Sequence, residues 1–203
     1  MALFEPDRYF SRISRIDIHA DLLDAGLSFV LLDIDNTIRS RATHDVPRDV
    51  KFWLSRARNA GVAFCLLSNN FHEDTYDFAR QMRMPVVAKA MKPMPFGYMR
   101  ALDLMGAPRQ KTVVVGDQLT TDIVGAHVVG LRAYLVAPLA EQDLAHTRIV
   151  RKFESAILGD RAPEGGSGVP VANMQTEEGV RAKGAPSGAR QMGVAAHAEG
   201  KQI

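Results

Sequence analysis

Two aspartates, Asp33 and Asp35, stand two residues apart directly after a short apolar run in this chain of 203 residues. If that run is a strand, alternation along it puts both carboxylates on the same side, where the strand becomes a loop. Carboxylates so close repel each other, and a buried pair therefore requires a cation or a shared proton. Mg²⁺ prefers such oxygen ligands, and one carboxylate could attack phosphorus while the other transfers the leaving-group proton. The pair alone is equally typical of turn residues that cap a helix.

Further polar residues follow the later apolar runs. Ser68 and Asn69 come after the second run, where a hydroxyl can hydrogen-bond a phosphoryl oxygen, and Lys92 in the next loop can neutralise phosphoryl charge. Asp117 ends the fourth run, where it can reach a metal, and Asp122 can orient the lysine or a metal-bound water. Each residue alone has an ordinary explanation as a turn, surface or helix-terminus residue. Their order on four strand ends is hard to assign to chance.

The elements that must position these residues alternate along the chain. We predict strands at residues 28–34, 62–68, 86–88, 112–117 and 131–136. Helices are predicted from about Pro47 to Gly61 and at residues 73–82, 96–105, 121–127 and 141–156. Strands that are apolar throughout and alternate with helices indicate an α/β fold with a doubly wound parallel sheet. Ligands bind such sheets at the carboxyl ends of the strands, where the polar residues lie.

The composition divides the chain into three parts. Residues 1–27 form an N-terminal approach segment, residues 28–158 form the α/β domain, and residues 159–203 form a tail that has many glycines and no aromatic residue. Such a tail cannot bury enough apolar surface to offset its ordering entropy, so we predict that it is disordered.

The bulk composition excludes several classes of protein. The net charge is only +2, without a local basic cluster, so no nucleic-acid partner is expected. Cys65 is the single cysteine, which excludes an internal disulfide and fits a reducing compartment. The histidines show no zinc spacing, and no apolar run approaches the roughly 20 residues that span a bilayer. We predict a cytoplasmic protein and leave open its association with the inner face of a membrane; the oligomeric state is not indicated.

The order of the polar residues resembles a known family. Asp-x-Asp-x-Thr at 33–37, then Ser68, then Lys92, then Gly-Asp-x-x-x-x-Asp at 116–122 is similar to the four motifs of haloacid dehalogenase (HAD) superfamily hydrolases. Within that superfamily the chain resembles the capless YqeG-type phosphatases of subfamily IIIA, which are related to phosphatidylglycerophosphate phosphatases. The resemblance runs from about Phe4 to Glu154 and also includes Pro6, Asp7, Arg8, Tyr9, Thr147, Arg148 and Arg151.

One stretch departs from the family pattern. Residues 38–41 read Ile-Arg-Ser-Arg, where the family usually has a leucine and then a more apolar stretch with an acidic residue. The departure leaves the core motifs intact and bears on contacts with the substrate.

The resemblance implies a HAD-like Rossmannoid fold without a cap domain and a phosphatase mechanism. Asp33 would attack phosphorus to form an aspartyl-phosphate, and Asp35 would protonate the leaving oxygen and then activate the hydrolytic water. Mg²⁺ would be held by Asp33, the backbone carbonyl of Asp35, and Asp117. The phosphoryl group would be bound by Ser68, Asn69 and Lys92, and the supporting residues would be Thr37, Gly116 and Asp122.

The short loops bear on the substrate. About nine residues separate Thr37 from Pro47, and only a few separate Ala88 from Lys92, so neither gap can hold a cap domain. An open site suits a phosphate carried on something large, and a lipid-borne substrate, phosphatidylglycerophosphate among them, is the leading hypothesis. Two alternatives stay open: a phosphatase for a small soluble phosphate, with oligomerisation supplying the lid, and a Mg²⁺- and phosphate-binding module without turnover.

The approach segment has two readings of its own. Its apolar residues are interleaved with arginines, a pattern that could lie on an anionic membrane. Packing of these residues on the domain is the more usual role of an apolar stripe. The residues concerned are Phe4, Tyr9, Phe10 and Ile13, with Arg8, Arg12 and Arg15.

Overall fold

Six parallel strands form one sheet in the computed structural model, which describes residues 3–139, 159 and 161–165. The order across the sheet is β1-β6-β5-β2-β3-β4, and the predicted doubly wound parallel α/β sheet is confirmed. The strands are β1 (Arg8–Phe10), β2 (Phe29–Leu32), β3 (Ala63–Leu67), β4 (Val86–Val87), β5 (Thr112–Gly116) and β6 (Arg132–Val136).

Within the part of the chain that the structure describes, four α-helices connect and cover the strands. Pro95 opens the third helix, where its fixed φ suits the first turn, and Gly106 ends that helix with φ of 59°. None of the helices within the described residues combines the length and the apolar composition that a bilayer-spanning helix needs. The helices are α1 (Arg48–Asn59), α2 (Glu73–Met82), α3 (Pro95–Met105) and α4 (Val124–Val128), and short 3₁₀ or π turns occupy Ile13–Arg15, Ile18–Leu23, Arg109–Lys111 and Leu119–Ile123.

Each face of the sheet has its own hydrophobic core, because successive strand residues point to opposite faces. On one face Leu32 and Phe64 pack with residues of α1 and α2. On the other face Leu31 and Cys65 pack with residues of α3 and α4. The central strands are therefore buried on both sides, which explains why they read as continuous apolar runs in the sequence.

The strand register aligns the ends of the central strands. Leu32 lies opposite Leu66 of β3 on one side and opposite Val115 of β5 on the other. The Asp33 N–H continues this pairing by donating to the Val115 carbonyl at 3.0 Å. From β2 the next two strands lie on one side, and the chain then crosses to β5 on the other side of β2. The crevice at the carboxyl ends of β2 and β5 is therefore the expected ligand site of a doubly wound sheet.

The N-terminal segment packs on the domain and supplies strand β1. Arg8, Tyr9 and Phe10 pair in parallel with β6, and the sheet has one strand more than the five predicted. Phe10 and Ile13 are buried in the core, with exposed fractions of 1% and 0%. Of the two readings of this segment, the structure supports packing on the domain for Phe10 and Ile13.

A short part of the predicted tail pairs with β1. The Glu164 N–H donates to the Tyr9 carbonyl at 2.8 Å, and the Ser11 N–H donates to the Glu164 carbonyl at 2.9 Å. The Arg8 guanidinium forms ion pairs with Glu164 and with Asp21. Residues 161–165 therefore differ from the disordered tail predicted from residue 159, because their backbone finds partners on an edge strand. The remaining tail, the predicted helix at 141–156, and the family-like residues Thr147, Arg148, Arg151 and Glu154 lie outside the described residues.

Trp53 connects α1 to the N-terminal segment and offers a test of that packing. Its indole Nε1 donates to the buried Ile16 carbonyl at 2.7 Å. We expect Trp53→Phe to lower the free energy of unfolding by about 1–3 kcal/mol, because a buried acceptor loses its donor. The neighbouring Phe52 is 56% exposed, so Phe52→Leu should change the free energy of unfolding by less than about 0.5 kcal/mol. Urea denaturation followed by circular dichroism measures both, and equal effects would contradict the assigned packing.

Candidate active site

The loops that follow β2, β3, β4 and β5 meet at the carboxyl edge of the sheet. They surround a cavity of about 350 Å³. The predicted residues Asp33, Asp35, Ser68, Asn69 and Lys92 all line this cavity. The structure therefore brings together residues from β2, β3 and β4 loops that are separated by up to 59 positions in the sequence.

Lys92 is a buried cation between two carboxylates. Its Nζ donates to Asp33 Oδ1 at 2.5 Å and to Asp122 Oδ1 at 2.7 Å. Burial disfavours the charged ammonium, but the adjacent carboxylates of Asp122 and Asp33 outweigh that effect and raise the pKa of Lys92 above its usual range. The lysine is therefore charged, and Asp122 fixes it beside Asp33, as the sequence predicts for a supporting residue.

Asp33 is held at both of its carboxylate oxygens. Oδ1 accepts from Lys92, and Oδ2 accepts from the Thr37 hydroxyl at 3.1 Å. Burial raises the pKa of Asp33 to about 6, while the charge of Lys92 acts in the opposite direction. Above that pH the carboxylate is ionised, and its position is fixed by two donors. Both properties suit a nucleophile.

Asp117 and Asp122 complete an acidic cluster with Asp33. Carboxylate oxygens of the three residues lie within 4.8 Å of one another. Asp117 Oδ1 is buried and has no hydrogen-bond partner in the described part of the chain. Burial, followed by the charge of Asp33, raises the pKa of Asp117 well above its usual range. A divalent cation would satisfy the orphaned oxygen and offset the repulsion, so the residues present fit such an ion.

Gly116 permits the close approach of Asp122 to the end of β5. A Cβ atom at this position would lie 2.3 Å from Asp122 Cγ. Asp122 itself lies in a widened turn, Leu119–Ile123, in which the Ile123 N–H donates to the Gln118 carbonyl at 3.3 Å. The helix predicted at 121–127 is thus a π turn followed by α4, and the turn keeps Asp122 beside the glycine.

Ser68 and Asn69 occupy the loop after β3. The Ser68 hydroxyl accepts from the Asn70 N–H at 3.1 Å. The Asn69 side chain accepts from the Lys92 N–H at 2.6 Å and donates to the Lys92 carbonyl at 3.1 Å. Asn69 therefore ties two loops of the site together through the Lys92 backbone. Binding of phosphate by either residue stays a prediction.

The loop of Lys92 is conformationally strained. Lys89 and Met91 adopt left-handed backbone conformations, with φ of 51° and 54°. Non-glycine residues rarely adopt this conformation, which costs about 1–3 kcal/mol each. Contacts from neighbouring loops offset this cost, including the Asn69 pair and a bond from the Ala90 N–H to the Ser68 carbonyl at 2.9 Å. Met91 directly precedes Lys92, so the strained segment leads into the residue whose ammonium group contacts Asp33 and Asp122.

Asp35 lines the cavity but lies outside the acidic cluster. Its Oδ1 accepts from Arg39 Nη2 at 2.8 Å and from Arg39 Nε at 3.3 Å. In the described residues the carboxylate that clusters with those of Asp33 and Asp117 belongs to Asp122. The sequence prediction instead names Asp35 as the third metal residue, through the backbone carbonyl of Asp35. The structure therefore separates the Asp35 side chain, the predicted proton-transfer group, from the carboxylates that could hold a cation.

Sequence reasoning missed Arg39 as a site residue. Arg39 is buried, with an exposed fraction of 4%, and lines the same cavity. The available signal was the departure at 38–41, but an arginine in a loop is ordinarily exposed. Its burial depends on partners that only the folded chain provides.

The chain is similar to a family model, to a curated protein and to solved structures. The family model described as HAD-hydrolase-like matches residues 90–161. Probable phosphatase YqeG of Bacillus subtilis (strain 168) is 32% identical over 159 residues, covering 76% of this chain and 90% of that protein. A HAD phosphatase structure from Thermococcus onnurineus matches with a TM-score of 0.43 and 19% identity, over 49% of this chain and 50% of that chain. The cobalt-bound deoxy-D-mannose-octulosonate 8-phosphate phosphatase (YrbI) of Haemophilus influenzae matches with a TM-score of 0.45 and 10% identity, over 66% of this chain and 88% of that chain.

The raised pKa values of Asp33 and Asp117 predict an unusual dependence of stability on pH. Because the folded protein holds these protons more tightly than the unfolded chain does, the contribution of Asp33 and Asp117 to stability is full below about pH 4, where unfolded aspartates ionise, and is lost as the pH rises through their raised pKa values. In EDTA, Asp117→Asn should therefore become more stable relative to the original protein between pH 4.5 and 7.5. Mg²⁺ should raise the melting temperature of the original protein more at pH 7.5 than at pH 4.5. It should have little effect on the melting temperature of Asp117→Asn at either pH.

Thermal unfolding in EDTA and in Mg²⁺ measures these differences. Asp103→Asn is the matched control, because Asp103 is an exposed aspartate on α3 away from the cluster. The cation site would be contradicted if the difference in melting temperature between the original protein and Asp117→Asn did not change with pH. It would also be contradicted if Mg²⁺ raised both melting temperatures equally.

Proposed function

This chain belongs to the HAD-like phosphatases, which hydrolyse phosphoric monoesters, and from that premise we propose Mg²⁺-dependent hydrolysis of a phosphomonoester through an aspartyl-phosphate on Asp33. The observation that carries the proposal is the position of Asp33 at the carboxyl end of β2. It is buried there against Lys92 and within 4.8 Å of Asp117 and Asp122. Phosphoryl transfer depends mainly on positioning and charge neutralisation, which this cluster can provide.

The proposed reaction has two displacements. An Asp33 oxygen forms a bond to phosphorus as the bond to the leaving oxygen breaks, and Asp35 donates a proton to that oxygen. Asp35 then takes a proton from a water molecule that attacks phosphorus, which releases inorganic phosphate and restores Asp33. Lys92 balances charge on the phosphoryl oxygens, and Ser68 donates to one of them. Mg²⁺, held by Asp33, Asp117 and the Asp35 backbone carbonyl, would supply further charge neutralisation when bound.

The surroundings of the cavity support a substrate that is carried on a lipid surface. The segments beside the phosphoryl site are short, and four large apolar side chains on them are exposed. These residues, which we call the apolar rim, are Phe71, Met91, Met94 and Phe96, with exposed fractions of 60%, 52%, 50% and 66%. The Lys89 ammonium lies 5.8 Å from the centre of the Phe71 ring and adds a cation suited to anionic headgroups.

The proposal therefore names a lipid phosphomonoester such as phosphatidylglycerophosphate as the substrate. It places the enzyme in the cytoplasm, in peripheral contact with the inner membrane face through the apolar rim. Contact through the N-terminal segment is less favoured, because Phe10 and Ile13 are core residues.

Removal of the nucleophile tests the catalytic part of the proposal. With p-nitrophenyl phosphate and Mg²⁺, Asp33→Asn should lower kcat by a factor on the order of 10³ or more, because no covalent intermediate can form. EDTA should abolish turnover, and added Mg²⁺ should restore it. The exposed Asp103→Asn should retain full activity. Turnover that survives both Asp33→Asn and EDTA would refute the mechanism, and metal binding without any turnover would favour a non-catalytic module.

The apolar rim allows a test of the lipid substrate. We expect the triple variant Phe71→Ser, Met91→Ser, Phe96→Ser to lose at least about tenfold in activity on phosphatidylglycerophosphate in vesicles, because each apolar side chain that enters lipid contributes about 1.5–3 kcal/mol. Its activity on p-nitrophenyl phosphate should be unchanged, since none of the three side chains lines the cavity.

A matched triple variant controls for the loss of exposed apolar surface. Phe52→Ser, Leu104→Ser, Val128→Ser changes equally exposed residues outside the rim and should keep both activities. If the rim variant keeps its vesicle activity, or if sugar and nucleotide phosphates are preferred to the lipid, the substrate is a small soluble phosphate.

A further inference from the structure

Arg39 is a buried arginine whose main partner is the predicted proton-transfer group. Its side chain is 5% exposed, and Arg39 Nη2 and Nε both donate to Asp35 Oδ1, at 2.8 and 3.3 Å. Two donors of one rigid guanidinium plane fix the carboxylate in distance and in direction, which a lysine cannot do. The contact therefore restricts the Asp35 side chain more than a simple ion pair would.

The guanidinium is itself fixed by two further neighbours. Its central carbon lies 5.0 Å from the centre of the Phe78 ring, which is buried in the core between α2 and the sheet. Its Nη1 lies 3.5 Å from Asp74 Oδ2 at the start of α2. Stacking on a core aromatic ring anchors the charged end of Arg39 to the scaffold.

The backbone of the same loop is closed on itself. The Arg39 N–H donates to the Ile34 carbonyl at 3.0 Å, and the Asn36 N–H donates to the Arg39 carbonyl at 2.7 Å. Asn36 adopts a left-handed conformation with φ of 63°, which turns the chain between Asp35 and Arg39. Arg39 and Asp35 are therefore parts of one tight loop that leads directly from the nucleophile Asp33.

We propose that Arg39 is a positioning residue that sets the direction of the Asp35 carboxylate for proton transfer to the leaving group. The Arg39 guanidinium binds Oδ1 of Asp35, which leaves Oδ2 as the oxygen that transfers the proton. In the first displacement protonated Asp35 gives its Oδ2 proton to the leaving oxygen as the phosphorus–oxygen bond breaks. Asp35 regains a proton from the water that attacks phosphorus in the second displacement, so the cycle needs no other reactant. This inference rests on the proposed function.

The leaving group provides the readout. An alkyl phosphate such as glycerol 3-phosphate needs a proton on its leaving oxygen, whereas p-nitrophenolate leaves without one. Because kcat/KM reports the first irreversible step, it isolates the transfer to Asp33 from the later attack of water. We expect Arg39→Gln to lower kcat/KM for the alkyl phosphate by about 10²-fold, a typical contribution of a general acid. For p-nitrophenyl phosphate the expected loss is less than about threefold, within the effect of small structural shifts.

Further variants separate positioning from charge and from folding. Arg39→Lys keeps the charge but not the planar pair of donors, and we expect it to behave like Arg39→Gln. Asp35→Asn should show the same leaving-group pattern, and the double variant Asp35→Asn, Arg39→Gln should lose no more than Asp35→Asn alone. Arg48→Gln, a change at the exposed first residue of α1, is the matched control and should leave both substrates unaffected.

The outcomes distinguish failure of this inference from failure of the proposed function. Equal losses on both substrates, full activity of Arg39→Lys, or additive losses in the double variant would each overturn the positioning role of Arg39. Absence of any leaving-group dependence in Asp35→Asn would instead remove Asp35 from the proposed mechanism. Undiminished turnover by Asp33→Asn would refute the proposed function as a whole. The p-nitrophenyl phosphate activity of each variant serves as its internal measure of folding.

Discussion

The contact of Lys92 with Asp33 and Asp122 is the interaction on which the rest of the site depends. Asp117 adds a third buried carboxylate, which clusters with these two, so the group contains three carboxylates and one ammonium. If all are ionised, the cluster carries an excess of two negative charges in a region from which water is largely excluded. Burial, and after it the negative charge of neighbouring carboxylates, raises the pKa values of Asp33 and Asp117, and one Asp117 oxygen has no donor within the described chain. The cluster has room for more positive charge than its own residues supply.

The fold holds these like charges together by making their supports rigid. The register of β2 and β5 pairs Leu32 with Val115, so Asp33 and Asp117 both follow directly from the aligned ends of these two strands. Asp122 is held by close packing beneath it: the Tyr98 hydroxyl donates to the Thr121 carbonyl at 2.8 Å, and Gly125 leaves room for the Tyr98 ring. A Cβ atom on Gly125 would lie 2.2 Å from the Tyr98 hydroxyl oxygen. The burial of apolar side chains on both sheet faces provides the free energy that opposes the repulsion in the cluster.

The site has two electrostatically distinct parts. Asp33, Lys92, Asp117 and Asp122 form the buried cluster, where charges are balanced over short distances. Asp35 stands apart with Arg39 as its counter-ion, on the side of the cavity that α2 borders through Asp74. In the proposed mechanism this separation would let Asp33 act on phosphorus while Asp35 serves the leaving group, although only one residue lies between them. The absence of an inserted domain in the loops 33–47 and 88–94 leaves both parts accessible from one side.

The sequence by itself determined the sheet and most of the site. Buried parallel strands must be apolar throughout, so their ends are visible as the points where Asp33, Ser68 and Asp117 interrupt the apolar runs, and parallel strand ends must meet at one edge. Strand β1 escaped that reasoning because it is a three-residue edge strand, half-buried at Arg8 and Tyr9, and has no apolar run. Only the tertiary structure decided which carboxylates share Lys92 and that Arg39 is buried against Asp35. Both depend on distances between loops, and an arginine is buried only where carboxylates and an aromatic ring from separate elements surround it.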